Sequence, residues 1–264
     1  MNRCLAVAFA LIALAAPLAA QNFSGLDEPL VADRPDFTES PNTVSPGHFQ
    51  VESGVSLYRV EDEETETLGE LLVRIGMGDR LEGRLGIGSF VRIDPGIPGS
   101  DRITGYADPY VGIKVRFTED DPDLLAPGRP VTALLLSTTV PVGDDELTAD
   151  EWIPIAKLAM GWTLTDRFSL SSNVNYAYAL DGDERFHQFG ATLSGGVTLT
   201  DRIGAYLEYF GFSEEGPDGD PTHYIDGGFT FAVSNDLRLD ARAGFGLNDP
   251  SPDWFAGIGA AVRF

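Results

Sequence analysis

From residue 48 to the final residue, apolar side chains recur at every second position in one run after another. Period two is the mark of a β-strand with two unlike faces. Twelve such runs are legible: 48–60, 67–78, 80–93, 105–117, 130–140, 153–165, 167–180, 185–199, 202–212, 222–233, 236–247 and 253–264. In 67–78, Leu71, Val73, Ile75 and Met77 share one face, while Glu70, Leu72, Arg74 and Gly76 share the other. In 105–117, Val111, Ile113, Val115 and Phe117 oppose Tyr110, Gly112, Lys114 and Arg116. The last run sets Trp254, Ala256, Ile258, Ala260, Val262 and Phe264 on one side.

The connections alternate as well. Tight turns are expected at Gly78-Asp79-Arg80, Thr165-Asp166-Arg167, Thr200-Asp201-Arg202 and Ser234-Asn235-Asp236, where Asp and Asn side chains bond the nearby backbone. Longer acidic or Pro/Gly-rich loops are expected at 61–66, 94–104, 141–152, 181–184, 213–221 and 248–252. Segment 118–129 breaks the rule, being a long connection on the short side. Barrels of the bacterial outer membrane have this layout, with strands of ~9–11 residues or more. A strand can be oily on one side in lipid only if its other side meets water and every backbone group is paired, so the sheet must close. The sequence therefore predicts an all-β fold: a closed antiparallel transmembrane β-barrel of about 12 strands. A soluble sandwich would have shorter strands, ~5–6 residues long, and no reason to alternate its turns.

Three regions follow. Residues 1–20, MNRCLAVAFALIALAAPLAA, read as a secretory signal peptide cut after Ala20: Arg3 is the positive start, and the apolar run is too short to span a bilayer. Residues 21–47 carry little strand pattern and form an N-terminal segment, and 48–264 form the barrel. Two readings of 21–47 stand open, a plug folded into the lumen or an extended periplasmic tail. Cys4, the chain's one cysteine, lies in the signal, so the mature protein has no disulfide or Cys-type metal site.

Charge enters here. Acidic residues outnumber Lys and Arg 41 to 18, giving a net charge of -23, which argues against nucleic acid as a partner. Much of the excess sits in the expected loops, at Glu61 to Glu64, Asp144-Asp145-Glu146, Asp181-Gly182-Asp183-Glu184 and Glu214-Glu215. Acidic loops on a cell surface suit divalent cations, or simply solvation. Alternation turns a near-balanced set of charges into the lumen. The basic ones are Arg74, Arg84, Arg92, Lys114, Arg116, Lys157, Arg238, Arg242 and Arg263, and the acidic ones Glu52, Glu70, Glu82, Asp108, Glu208, Asp226 and Asp240. They either stiffen a narrow interior by pairing or form a selectivity ring for a solute. Tyr58, Tyr106, Tyr110 and Tyr206 are candidate aromatic contacts in the lumen.

Enzyme chemistry is thin. No H-E-x-x-H, G-x-S-x-G, P-loop or complete G-x-G-x-x-G occurs, so no catalytic residue, metal ligand or cofactor is assigned. His187 and Ser172 fall on the outward face of neighbouring strands, but about six positions apart, too far to bond.

The segment before the first strand carries specific words: Ala32-Asp33-Arg34-Pro35-Asp36-Phe37-Thr38-Glu39-Ser40-Pro41, then Val44-Ser45-Pro46-Gly47-His48-Phe49-Gln50-Val51-Glu52-Ser53-Gly54. It resembles the opening of the outer-membrane transporter-like proteins of the meta-pathway of phenol degradation family. The resemblance implies an outer-membrane barrel, in contact with the lipid bilayer, for uptake of aromatic or other hydrophobic compounds. Within it, Asp33, Arg34, Pro35, Asp36, Phe37 and Glu39 are the family-like motif. The sequence reading is thus a passive channel for small solutes. A structural or surface-interaction barrel without transport is the alternative, and a lipid-acting barrel enzyme stands third.

Overall fold

A computed structural model describes residues 24–118, 129–214 and 216–264. The expected signal peptide, most of the 118–129 connection and Glu215 lie outside the described residues. Fourteen strands are present: β1 (Phe49–Val60), β2 (Glu63–Gly78), β3 (Leu81–Ile87), β4 (Phe90–Asp94), β5 (Ile103–Tyr106), β6 (Tyr110–Arg116), β7 (Val131–Thr139), β8 (Pro154–Thr163), β9 (Phe168–Asp181), β10 (Glu184–Thr198), β11 (Ile203–Phe212), β12 (Thr222–Ser234), β13 (Leu237–Gly246) and β14 (Trp254–Arg263).

They make twelve staves. β3 and β4 both pair with β2, end to end, so they are two halves of one stave. β5 and β6 likewise pair with β4 and β3 and form the next stave. Every neighbouring pair is antiparallel, and β1 pairs with β14 from Gln50↔Arg263 to Arg59↔Trp254, which closes the cylinder. Closure leaves no sheet edge along that seam. The four turns expected to be tight and both termini of the barrel lie at one end, here the terminal end.

The residue distribution is the reverse of a water-soluble core. Arg74, Lys114, Glu52 and Glu82 are fully buried, whereas Met77 is 63% exposed, Leu207 62% and Phe229 61%. Aromatic clusters ring the outer wall near both ends. Phe49 stacks on Phe264 at the terminal end, and Tyr176, Tyr178, His187 and Phe189 group at the far end. An apolar wall between aromatic girdles is what a bilayer requires of a barrel. No helix among the described residues is long and apolar enough to cross a membrane; this barrel crosses with strands.

Three expectations need correction. The connections at 61–66 and 181–184 are not loops: β1 and β2 run to a turn at Glu61-Asp62, and β9 and β10 to one at Gly182-Asp183. Glu61 and Gly182 have φ of 49° and 55°, the left-handed geometry of tight hairpins. Second, the runs 80–93 and 105–117 are each interrupted, at Gly88-Ser89 and at Ala107–Pro109. Pro109 cannot donate to a ladder. Third, Asp108 does not enter the lumen. Its carboxylate accepts hydrogen bonds from the backbone N–H of Val142, Gly143 and Ala149 and from the Thr148 hydroxyl, and so clamps the 139–154 loop.

Candidate functional site

Residues 24–47 touch inward side chains from almost every stave, so the segment lies inside the cylinder. It is tied at the terminal end by Asp236, which accepts from Ser24 N–H and hydroxyl at 3.0 and 2.6 Å and pairs with Arg263 at 2.8 Å. Leu30 N–H donates to the Asn235 carbonyl, and Gly47 N–H to that of Gly76.

The densest contacts gather on Asp33. Its carboxylate meets Arg84 at 2.7 Å, Lys114 at 3.0 Å and Arg74 at 3.5 Å, and accepts the Ser40 N–H. Arg74 holds Glu82 through two nitrogens and Glu52 at 2.9 Å, and Glu52 in turn accepts the N–H groups of Asp33 and Arg34. Glu39 completes the set with Lys157 at 2.6 Å and Arg84 at 2.8 Å. Four carboxylates thus face four cations in a region nearly closed to water. Burying an unpaired ion costs several kcal/mol, so this mutual pairing is what allows so many charges inside. Burial pushes the Asp33 carboxyl up, but Arg74, Lys114 and Arg84 outweigh it and hold it well below the usual range. Glu39 is likewise raised by burial and then drawn down to about 2, by Lys157 and Arg84.

Arg34 reaches the opposite way, to Glu70 at 2.5 Å and Asp240 at 3.3 Å. The peptide bond between Arg34 and Pro35 is cis. Past it, Glu208 accepts the N–H groups of Phe37 (2.7 Å) and Thr38 (2.8 Å) and also the Thr38 hydroxyl. Asp36 accepts from the Ser194 hydroxyl at 3.0 Å. Burial, the largest influence, lifts its carboxyl to about 7, against the hydrogen bond from Ser194.

Phe37 enters an aromatic cluster on the inner wall. It stacks on Phe210 (centroids 4.8 Å apart) and meets Phe212 edge-on at 5.4 Å; Tyr224, Phe255 and Tyr58 complete the group. The sequence reading missed Phe210, Phe212, Tyr224 and Phe255. The signal was available: Phe210 and Phe212 are in phase with Glu208, Tyr224 with Asp226, and Phe255 with Arg263. Among the tyrosines singled out, Tyr58 accepts a hydrogen bond from Arg242, Tyr206 donates to Asp226 at 2.6 Å, and Tyr110 packs over Gly86. Tyr106 is 60% exposed on the outer wall beside Phe90, because the broken stave ends there.

The four remaining candidates take four positions. Arg92 pairs with Glu66 at 2.5 Å near the far end, and Arg116 donates to the Asp79 carbonyl at the terminal end. Arg242 donates to the Pro35 carbonyl at 3.1 Å and to Ser56 and Tyr58. Arg238 borders a cavity of about 330 Å³ on the terminal side of the segment. A second cavity, of about 200 Å³, lies beyond the segment, lined by Phe37, Arg84, Tyr110, Lys157 and Arg242. Arg34 and Asp36 border both.

On the outer wall, His187 bonds Tyr176 and sits opposite Tyr178 in the ladder, six positions from Ser172, whose hydroxyl donates to the Thr192 carbonyl. They do not form a pair. Among the described residues, no group of three or more His, Cys, Asp or Glu side chains is placed to hold a metal ion, the acidic turns included.

Comparison with known proteins agrees with this architecture. The family described as "Putative MetA-pathway of phenol degradation" matches residues 32–264. An outer membrane channel from Pseudomonas putida F1 is similar in fold, with a TM-score of 0.68, 12% identity, and coverage of 89% of this chain and 100% of that one. The NanC porin follows at 0.54 with 10% identity, covering 82% and 100%. The KdgM porin, solved in complex with disordered oligogalacturonate, follows at 0.53 with 9% identity, covering 82% and 99%. No curated protein matches the sequence.

Proposed function

The chain belongs to the "Putative MetA-pathway of phenol degradation" family, and from that premise we propose that it is an outer-membrane channel for passive uptake of small aromatic or hydrophobic solutes. The signal-like residues 1–20 are its export address, and residues 24–47 are the element that closes its lumen at rest.

One observation carries the solute class. The segment's own Phe37 sits in a group of four inner-wall aromatic rings, Phe210, Phe212, Tyr224 and Phe255, with Tyr58 beside it. Aromatic pairs contribute ~0.5–1.5 kcal/mol beyond their buried area, so such a place suits a planar apolar guest as well as it suits Phe37. The charged network on the other side of the segment supports a closed resting state, since it holds the backbone of residues 31–42 across the bore. A surface-interaction barrel without transport would need no such lining.

The test is single-channel recording in planar bilayers. The wild-type barrel gives small, brief currents, and Phe37→Ala raises their size or frequency. Catechol added to one side interrupts the current of the variant more often than glycerol does. Absence of current from both proteins, with the barrel folded by heat-shift electrophoresis, overturns the channel reading. Equal interruption by catechol and glycerol overturns the solute class.

A further inference from the structure

We propose that the cavity of about 330 Å³ between the N-terminal segment and the inner wall of β7 to β13 binds a small organic monocarboxylate through the guanidinium of Arg238. The inference leans on the channel reading, because it names a solute class for the same lumen.

Arg238 stands apart from most of the inward cations. Arg74, Arg84, Lys114, Lys157 and Arg34 each hold at least one carboxylate of the segment or wall. Arg238 has no hydrogen bond and no ion pair among the described residues. The carboxylates within its electrostatic reach are Asp36, Asp240 and Glu52, and all have other partners. Asp240 is held by Arg34, Glu52 by Arg74 and two backbone N–H groups, and Asp36 by Ser194. A guanidinium presents five donors in a planar fork that matches a carboxylate with two parallel hydrogen bonds. Arg238 lines the cavity and can offer that fork to a ligand entering it.

The cavity suits that counterpart in size and lining. Its volume falls at the lower end of the ~300–1,000 Å³ range typical of small-molecule sites. Hydroxyls of Ser171, Ser194 and Thr230 border it and can serve the carboxylate oxygens that Arg238 does not reach. Pro41 and Val131 add apolar surface for the body of the ligand. With Arg34 already neutralised by Glu70 and Asp240, the charges left at the cavity are Arg238 and Asp36. Asp36 is faced by Ser194 on β10, Tyr206 and Glu208 on β11, Asp226 on β12 and Arg238 on β13. Burial first, and Asp226 after it, lift its carboxyl to about 7, so at mildly acid pH it is neutral and donates to an anion instead of repelling it. One fixed positive charge calls for a monoanion.

The experiment is equilibrium binding to the full-length barrel folded in detergent micelles, using benzoate as probe and benzamide as its neutral counterpart. Benzoate binds saturably, more tightly at pH 6 than at pH 8, and benzamide does not bind measurably. Arg238→Gln weakens benzoate about ten- to hundredfold, the size expected for charge-assisted hydrogen bonds. Arg238→Lys keeps the charge but loses the fork and weakens it by less. Equal binding of benzoate and benzamide, unchanged binding in Arg238→Gln, or displacement of benzoate by equimolar chloride overturns the proposal. If Arg238→Gln does not fold, unchanged affinity in Arg238→Lys overturns it instead. Micelle binding needs no conduction, so a barrel that binds benzoate and passes no current would sink the channel reading and leave this one standing.

Discussion

Gly54 and Gly259 face each other across the seam that closes the barrel, and the guanidinium of Arg34 lies over both of them. A β-carbon at Gly54 would stand 2.3 Å from Arg34 Nη2, and one at Gly259 would stand 2.3 Å from its Nε. The two bare backbones make the slot that lets Arg34 reach Glu70 and Asp240. Gly259→Ala should therefore push Arg34 off its carboxylates and cost about 1–3 kcal/mol. Limited proteolysis checks this by faster cleavage within residues 24–47. Gly195→Ala is the control, since a β-carbon there would meet only the Leu207 carbonyl at 3.9 Å, and it should change nothing.

Asp33 sits among three cations, with Arg84, Lys114 and Arg74 all within 3.5 Å. Asp33→Asn removes the charge and leaves the cations under-compensated in a buried place. Breaking a buried ion pair costs about 3–5 kcal/mol, and most of that should appear as release of the segment. Hydrogen exchange of residues 31–42 reads it directly. Exchange at the wild-type rate would mean that the network does not hold the segment.

Ile113 is 40% exposed on the outer wall of β6, opposite in phase to the buried Lys114. Ile113→Arg at mid-membrane should destabilise the barrel by about 2–4 kcal/mol. An unchanged urea midpoint in lipid vesicles would show that this face does not meet hydrocarbon.

Segment docking should depend on pH from both sides. Asp36 has its carboxyl raised to about 7 by burial, so the stability it contributes is full below its ordinary value of 3.8 and is lost as pH rises through 7. Asp33 and Glu39 are lowered, Glu39 to about 2, so theirs is present above the ordinary carboxylate range and lost as pH falls through the lowered value. Docking is then firmest at about pH 4 to 5 and weakens as pH rises toward 7. Proteolysis of the segment should accelerate between about pH 5 and 7 and level off above that, and Asp36→Asn should flatten that rise. A rate independent of pH across both limbs would contradict the burial argument.

Much of this molecule was legible before any coordinates. Alternation at Leu71, Val73, Ile75 and Met77, repeated along the chain, determined the staves and their oily and wet faces, because period two is a local property of extended backbone. The same phase turned Glu52, Arg74, Glu82, Lys114 and Glu208 inward. It also carries Phe210, in phase with Glu208, and Tyr224, in phase with Asp226, onto the inner wall. Partnership was not legible. Asp33 meets Lys114 across 81 residues of chain and Thr38 meets Glu208 across 170, and those distances close only when β14 returns to β1. Tertiary structure alone decided that the segment consumes nearly every inward cation and leaves Arg238 aside, because which charges pair depends on the radius and register of the finished cylinder rather than on any spacing along the sequence.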